Sequence, residues 1–471
     1  MKTKNNYELY SSLYKNKLIA DVYHGILQRD PDESGLLHYG EKFDEQGIAG
    51  TIKSLLNSTE GRRNFIRGNS EKFARELYNA AFSEQPNDKT LRKISDHIIQ
   101  NGITDSVRAI FAGKFQTPKN IIDQWCHQQL IPWITKERVS FKKTILKFKE
   151  WNENDPDIYL YKIKDGEVRI LRKDHKNELL KHHHERALVY RGFFQRILNS
   201  SQIPLETIFA VCVRDEPKME VLDYPLFSFE KSRGSNLILL PDIDFLNSDF
   251  YISEKYADKK QFCEKSTTAV FVGATTGAER IDGIRVILKE KINNLPRIKS
   301  ALFFKDHPDV IFELPKVVHA KSAEVEEEIR RLDLGGAIRE WSEQFDHKFI
   351  ISMDGNGATC SRVAIALRSN SVLMKYESER VLFYFNSLIP WLHYIPVSHD
   401  QEVEKIIQLE KIAPGEFESI AENGKKFAVT HLNQEVIESF TFDLLKRHCD
   451  VYDSLSDSDI TESGLNEFEV C

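Results

Sequence analysis

The feature that most constrains the fold is a train of short apolar runs in the second half of the chain. Ile208-Phe-Ala-Val-Cys-Val213, Leu226-Phe-Ser-Phe229, Leu237-Ile-Leu-Leu240, Ala269-Val-Phe-Val272, Ala301-Leu-Phe-Phe304, Lys348-Phe-Ile-Ile351 and Ser371-Val-Leu-Met374 recur between polar stretches. A strand that is apolar on both faces must be covered on both faces, as in a parallel sheet clad with helices. Stretches 280–292, 323–344, 359–368 and 378–388 lie between the runs and read as helical. The expectation is an α/β architecture of two such domains, 161–265 and 266–450, with ligands at the carboxyl ends of the strands.

Upstream the pattern differs. Tyr23 and Tyr78, Pro31 and Pro86, Gly47 and Gly102, and Leu55-Leu56 and Ile110-Phe111 all recur at one offset of 55 residues. A constant offset over several markers predicts a helical repeat domain of two units over 1–117. Val22, Tyr23, Ile26 and Leu27 form one helical stripe, which places the tyrosines in the core. Asp30-Pro31-Asp32 should break that helix and cap the next, and Gly47 and Gly102 read as residues just past helix ends. Residues 118–160 read as a charged linker and the start of the following α/β part, carrying Trp125, Trp133 and Trp151 and leading into a hairpin around Asp165-Gly166. A charged helix, Asp174 to Asn199, follows, with His182-His183-His184 on a solvated face. Residues 451–471 read as an acidic, disordered tail.

Lys and Arg total 65 against 72 Asp and Glu, a net charge of −7. A dedicated nucleic-acid binder would be basic, so no nucleic-acid partner is expected. The six cysteines form no C-x-x-C pair, which points to reduced thiols and no structural zinc. The first residues lack an apolar signal region, and no apolar run reaches the length of a membrane span. A cytoplasmic protein is expected, or one peripheral on the inner face of a membrane.

Three loops carry chemistry. Val213-Arg-Asp-Glu-Pro217 follows an apolar strand, and Asp215 stands where a general base would sit. Phe271-Val-Gly-Ala-Thr-Thr-Gly-Ala-Glu-Arg280 reads as strand, small-residue turn and helix start, offering backbone N–H groups to an anion with Arg280 beside them. It is neither an ATP-binding P-loop nor a dinucleotide fingerprint. Ile351-Ser-Met-Asp-Gly-Asn-Gly-Ala-Thr-Cys-Ser-Arg362 repeats the strand-turn-helix pattern. There Asp354 or Asn356 suits a sugar hydroxyl, and Ser361 and Arg362 suit a phosphate. A competing reading takes Asp242-Ile-Asp244 as a metal-holding pair of a single-sheet, metal-dependent (GT-A) glycosyltransferase.

In order along the chain, these segments resemble the capsule-associated, Rumi and LpsA-type glycosyltransferases. Val213-Arg-Asp-Glu-Pro, Pro225-Leu-Phe-Ser-Phe-Glu-Lys231, Thr268 to Arg280, and Lys348 to Gly357 with Ser361-Arg362 carry the likeness. The most specific segment is Ser371-Val-Leu-Met-Lys through Leu388-Ile-Pro-Trp-Leu-His-Tyr-Ile-Pro-Val397. Tyr23 to Phe65 separately resembles a small helical domain of undefined function found in bacterial surface proteins and glycosyltransferases.

The resemblance implies a GT-B fold of two Rossmann-like domains. It implies an inverting transfer of a glucose- or xylose-type sugar from a UDP-sugar, with no metal or other cofactor, to a lipopolysaccharide, capsule or related glycan, some of it lipid-linked. Asp215 would be the general base. Gly273, Ala274, Thr275, Arg280, Asp354, Gly355, Ser361 and Arg362 would bind the donor. The family often carries Phe-Arg-Gly where Phe271-Val272-Gly273 stands, and Ser in place of Ala274. The helices of 1–117 would serve docking to a membrane surface or a protein. The alternative from another class is a non-catalytic glycan- or partner-binding protein that retains the fold.

Overall fold

The computed structural model describes residues 2–27, 29–82, 88, 91–99, 106, 118–134, 138–171, 181–201, 203–215, 221–281 and 284–453. The chain divides into two compact units, Met1–Thr117 and Pro118–Cys471.

The first unit is helical among its described residues: α1 (Lys2–Leu27), α2 (Glu33–Asn57), α3 (Thr59–Phe82) and α4 (91–99). Pro31 ends the α1 stripe and Asp32 caps α2, its carboxylate accepting from Gly35 N at 2.7 Å. Tyr23, Leu27 and Leu55 are buried together, and Tyr39 meets Tyr23 edge-on at 5.6 Å. The tyrosines are therefore core. Gly47 does take a positive φ of 68°, but α2 kinks there and continues rather than ending. A second cluster joins Ala74, Leu91, Ile94 and Ile98. The remaining repeat markers, Pro86, Gly102, Ile103, Ile110 and Phe111, lie outside the described residues, as does the tail beyond Asp453.

The second unit opens with α5 (Pro118–Ile134) and α6 (Phe141–Asn154). Both helices pack within the second unit. The Trp125 indole is fully buried and donates to Ser387 Oγ at 2.8 Å, and that of Trp133 donates to Asn236 O at 2.9 Å. The hairpin β1 (Ile158–Lys164) and β2 (Glu167–Ile170) follows. Asp165 and Gly166 both have positive φ, 52° and 76°, the geometry that a two-residue hairpin turn requires. After α7 (Lys181–Ser200) come β3 (Thr207–Cys212), β4 (Phe227–Ser228), β5 (Lys231–Ser232) and β6 (Ile238–Leu239), then the short helix α8 (Ile243–Asn247). The first sheet has the order β2-β1-β3-β4-β6, parallel across β3, β4 and β6.

The second sheet is formed by β7 (Ser266–Ala274), β10 (Val310–Lys316), β11 (His347–Ser352), β12 (Val372–Tyr376) and β14 (Ile395–Val397). Its order is β10-β7-β11-β12-β14 and every pairing is parallel. Helices α9 (Pro296–Phe303), α10 (Ala323–Arg331), α11 (Trp341–Gln344) and α12 (Cys360–Arg368) lie along this stretch. They are followed by α13 (Asp400–Ile412), α14 (Glu418–His431) and α15 (Gln434–His448). The last of these returns to the first sheet: Phe440 packs on Trp125 at 5.4 Å, and His448 on Phe227 at 4.8 Å. A two-stranded ribbon pairs β5 with β13 (Arg380–Val381), so the two sheet regions are also joined beside the cleft between them.

Three readings fail. Ala301 to Phe304 is not a strand but the end of α9, whose start is set by Pro296 in its first turn. A four-residue apolar run suits a buried helix face as well as a strand. Stretch 280–292 is not one α-helix: β8 (Glu279–Ile281) pairs antiparallel with β9 (Ile284–Val286), Asp282-Gly283 between them is a hairpin signal in the sequence, and only a 3₁₀ segment, Lys289–Asn294, is helical. Stretch 378–388 holds β13 and a single 3₁₀ turn at Phe385–Ser387.

Candidate active site

A pocket of about 260 Å³ lies between the two sheets. Much of the lining follows the carboxyl ends of strands: Asp215 after β3, Glu230 after β4, Asp244 after β6, Thr276 after β7, and Gly355 to Thr359 with Ser361 after β11; Arg186 of α7 and Arg297 of α9 complete it. Open α/β sheets leave room for ligands at this edge, because their connections diverge there.

Asp215 lines the pocket. Its Oδ1 is 3.0 Å from Arg186 Nη1, and that guanidinium also donates to Val213 O at 2.8 Å and lies over the Phe229 ring at 5.5 Å. Asp244 stands on the same wall. Burial pushes its carboxyl pKa up; Arg186 and hydrogen bonds from Ser361 pull it back. Asp242, the other member of the candidate metal-holding pair, turns into the interior instead. It is fully buried and caps α8, accepting from Asp244 N at 3.1 Å and Phe245 N at 3.3 Å. Burial and the neighbouring Asp244 raise its carboxyl pKa well above the ordinary value.

On the opposite wall the key side chain is Arg297, which the sequence did not single out. It stands in the first turn of α9 and is 7% exposed. Its guanidinium donates to Ala274 O (3.1 Å), Thr276 Oγ1 (2.6 Å), Asp354 O (3.1 Å) and Met353 O (2.8 Å). One cation thereby ties the loop after β7 to the loop after β11. Burial pushes its pKa down to about 10. A guanidinium thus reaches the Gly273-Ala274 turn from another element.

The remaining candidates divide. Gly355 and Ser361 line the pocket. Gly273, Ala274 and Thr275 lie behind it: Thr275 Oγ1 is held between Val318 O and Val318 N, and Thr276 faces the pocket instead. No helix follows this loop, so the expected helix dipole is missing there. Asp354 also turns away, accepting from the hydroxyl of Ser378. Asn356 lines the pocket and accepts from Gly277 N at 3.0 Å, joining the two loops a second time. Arg280 reaches the end of β1, its Nη2 3.6 Å from Asp157 Oδ2. Asp157 is buried and also meets Arg214 (2.9 Å) and His183 (2.8 Å), so the histidine run does not form a fully solvated face. Burial alone would raise the Asp157 carboxyl, but these partners outweigh it and hold the pKa at about 2.

Arg362 is a correction. Its guanidinium points into the interior between Phe271 (4.5 Å) and Trp341 (5.3 Å), bonded to Val272 O and Gln344 Oε1. Burial lowers its pKa to about 9. The helical period turns the residue after Ser361 inward, so adjacency in sequence did not mean adjacency at the pocket. His393, in the aromatic run before β14, is likewise structural: it packs on Phe427 at 5.0 Å, and Ile389 N donates to its Nδ1.

A two-sheet α/β unit with a carboxylate and a buried guanidinium facing across a strand-end pocket suits group transfer. Residues 175–454 match the model of glycosyl transferase family 90, and the chain belongs to that family. It is 32% identical over 108 residues (23% of this chain) to protein O-glucosyltransferase 2 of Danio rerio. Identity is 26% over 199 residues (41% of this chain) with the O-glucosyltransferase rumi homolog of Aedes aegypti, and 28% over 103 residues (22%) with protein O-glucosyltransferase 1 of Rattus norvegicus. The matches span 21%, 44% and 26% of those relatives' own lengths. Among the described residues no helix is long and apolar enough to cross a membrane.

Proposed function

We propose that the protein is an inverting, metal-independent transferase of the two-domain GT-B type. It moves a glucose- or xylose-type sugar from a UDP-sugar to the hydroxyl of a lipopolysaccharide, capsule or related glycan. The observation that supports this most is the placement of Asp215 in a pocket whose other wall carries Arg297 and the glycine-rich loop. A hydroxyl is a poor nucleophile near neutral pH, so the reaction needs a positioned base. Asp215 takes the hydroxyl proton as oxygen attacks the anomeric carbon, and the bond to the departing phosphate breaks. Arg280 and the polar end of β7 balance the charge on the leaving diphosphate. Arg186, 3.0 Å from its carboxylate, orients Asp215.

The helices of 1–117 act as a docking module for the acceptor, and the protein works in the cytoplasm or against the inner face of a membrane. A protein hydroxyl is the second reading of the acceptor, because the relatives' names say that they glucosylate protein. The test is turnover of UDP-glucose and UDP-xylose in excess EDTA, with glycan and peptide acceptors in parallel and the product anomer read by NMR. Inverted product formed in EDTA is expected. Loss of all activity in EDTA, restored by a divalent cation, would return the Asp242-Asp244 reading.

A further inference from the structure

The amino end of α12 is where the sequence most invites a phosphate, and it is already filled. Ala358 N donates to Glu230 Oε2 at 2.6 Å. Asp244 faces the same pocket as Ser361 of that helix, and Ser361 helps to hold its carboxyl pKa down against the effect of burial. Both carboxylates come from the other sheet, one from the end of β4 and one from α8. The approach is close: a Cβ on Gly357 would lie 2.1 Å from Glu230 Oε1, so only glycine lets the loop reach the carboxylate. The adjacent Lys231 turns away, its Nζ donating to Leu237 O at 2.7 Å.

A helix amino end offers a few unpaired amides and about half a unit of positive charge. Two carboxylates already draw on that charge. A diphosphate placed there would have to evict them or lie against them, and like charges at such close range repel. The oxygens of these carboxylates, in contrast, accept from hydroxyls with lone pairs to spare after the amide contact.

Resting on the UDP-sugar reading above, we infer that Glu230 and Asp244 are specificity-determining residues: with them, the α12 wall receives the hydroxyl-bearing sugar of the donor, and the diphosphate lies toward Arg297 and Arg280. An acidic sugar is then excluded, because its carboxylate would meet two more.

The test uses the full-length protein, Glu230→Gln and Asp244→Asn. Hydrolysis of UDP-glucose is compared with that of UDP-glucuronate, and UDP alone is titrated by calorimetry. The wild type should prefer UDP-glucose by about 100-fold or more, and each neutral variant should narrow that preference by about ten-fold, as for a desolvated polar contact. UDP affinity should stay within about two-fold, since neither carboxylate meets the diphosphate. Equal use of the two sugars by the wild type overturns the inference. So does an unchanged preference in whichever variant melts like the wild type. UDP binding about ten-fold tighter in Glu230→Gln also overturns it, by showing that the carboxylate had occupied a phosphate seat. A wild type that turns over no UDP-sugar overturns the donor reading itself, and is distinct from intact turnover with unaltered preference.

Discussion

The two sheet regions meet at one pocket and bring different chemistry to it. The first supplies carboxylates, Asp215, Glu230 and Asp244, with Arg186 beside them on the pocket wall. The second supplies Arg297, hydroxyls from Thr276, Thr359 and Ser361, and glycine-rich backbone. Neither set makes a site alone. Carboxylates without facing donors are poorly compensated, and a buried guanidinium that bonds mainly to carbonyls keeps its charge. The charge balance is made across the gap, so activity should depend on apposition as much as on any single motif.

The sharpest way to break this division is at the base. Asp215→Asn should lower turnover by about 10²–10⁴-fold while UDP still binds, as for loss of a general base. An unchanged rate would move the chemistry to another carboxylate of the same wall. Next is the tie on the opposite side. Arg297→Met leaves Ala274 O, Met353 O and Asp354 O without their donor; each such loss costs about 1–3 kcal/mol where no water replaces it. A lower melting temperature is expected, with turnover down by about 100-fold as the two loops lose their spacing. Wild-type melting and kinetics would show that the loops hold their places without it.

Arg280→Ala should weaken UDP binding by about 1.5–3 kcal/mol, the worth of a charge-assisted contact. Equal affinity in calorimetry would leave Arg280 as a partner of Asp157 alone.

Acid should strike the helices that cover both regions. Burial lowers the pKa of His393 to about 3, His431 to about 4 and His448 to about 3. Unfolded histidine titrates near 6.5, so their neutral burial favours the fold fully above about pH 6.5, and that contribution is lost as pH falls toward 4 and 3. At pH 5 each should cost about 2 kcal/mol relative to pH 7. The melting temperature should fall over that range, and His448→Asn should make the fall shallower. The smallest effect is expected from removing residues 1–117: donor hydrolysis should stay within about two-fold while action on the natural acceptor drops, because docking raises local concentration without touching the chemistry.

What the sequence revealed follows from range. Runs such as Ile208 to Val213 and Lys348 to Ile351 are buried on both faces wherever they pack, so their strands were legible. Asp32 as a cap and Asp165-Gly166 as a turn depend only on neighbours. Ala301 to Phe304 and 280–292 failed because short apolar stretches suit helix and strand alike. Asp215 was legible as a carboxylate at a strand end. Arg297, Glu230 and Arg186 were not, since each acts on a segment far away: Glu230 on Ala358, 128 residues on, and Arg297 on Met353, 56 residues on. Arg362 misled for the same reason, because its loop was visible but its direction was not.

The return of α15 to the first sheet has a consequence in time. Cys126 bonds to Phe440 O across 314 residues of chain, and Trp125 beside it needs the same helix to complete its surroundings. A ribosome adding about 5–20 residues per second reaches that helix roughly 15–60 s after making Trp125. During that interval the part of α5 around Trp125 and Cys126 lacks the cover that α15 gives it. Newly made chains should need a chaperone then, and a nonsense codon just before Gln434 should yield aggregate rather than a slightly shortened enzyme.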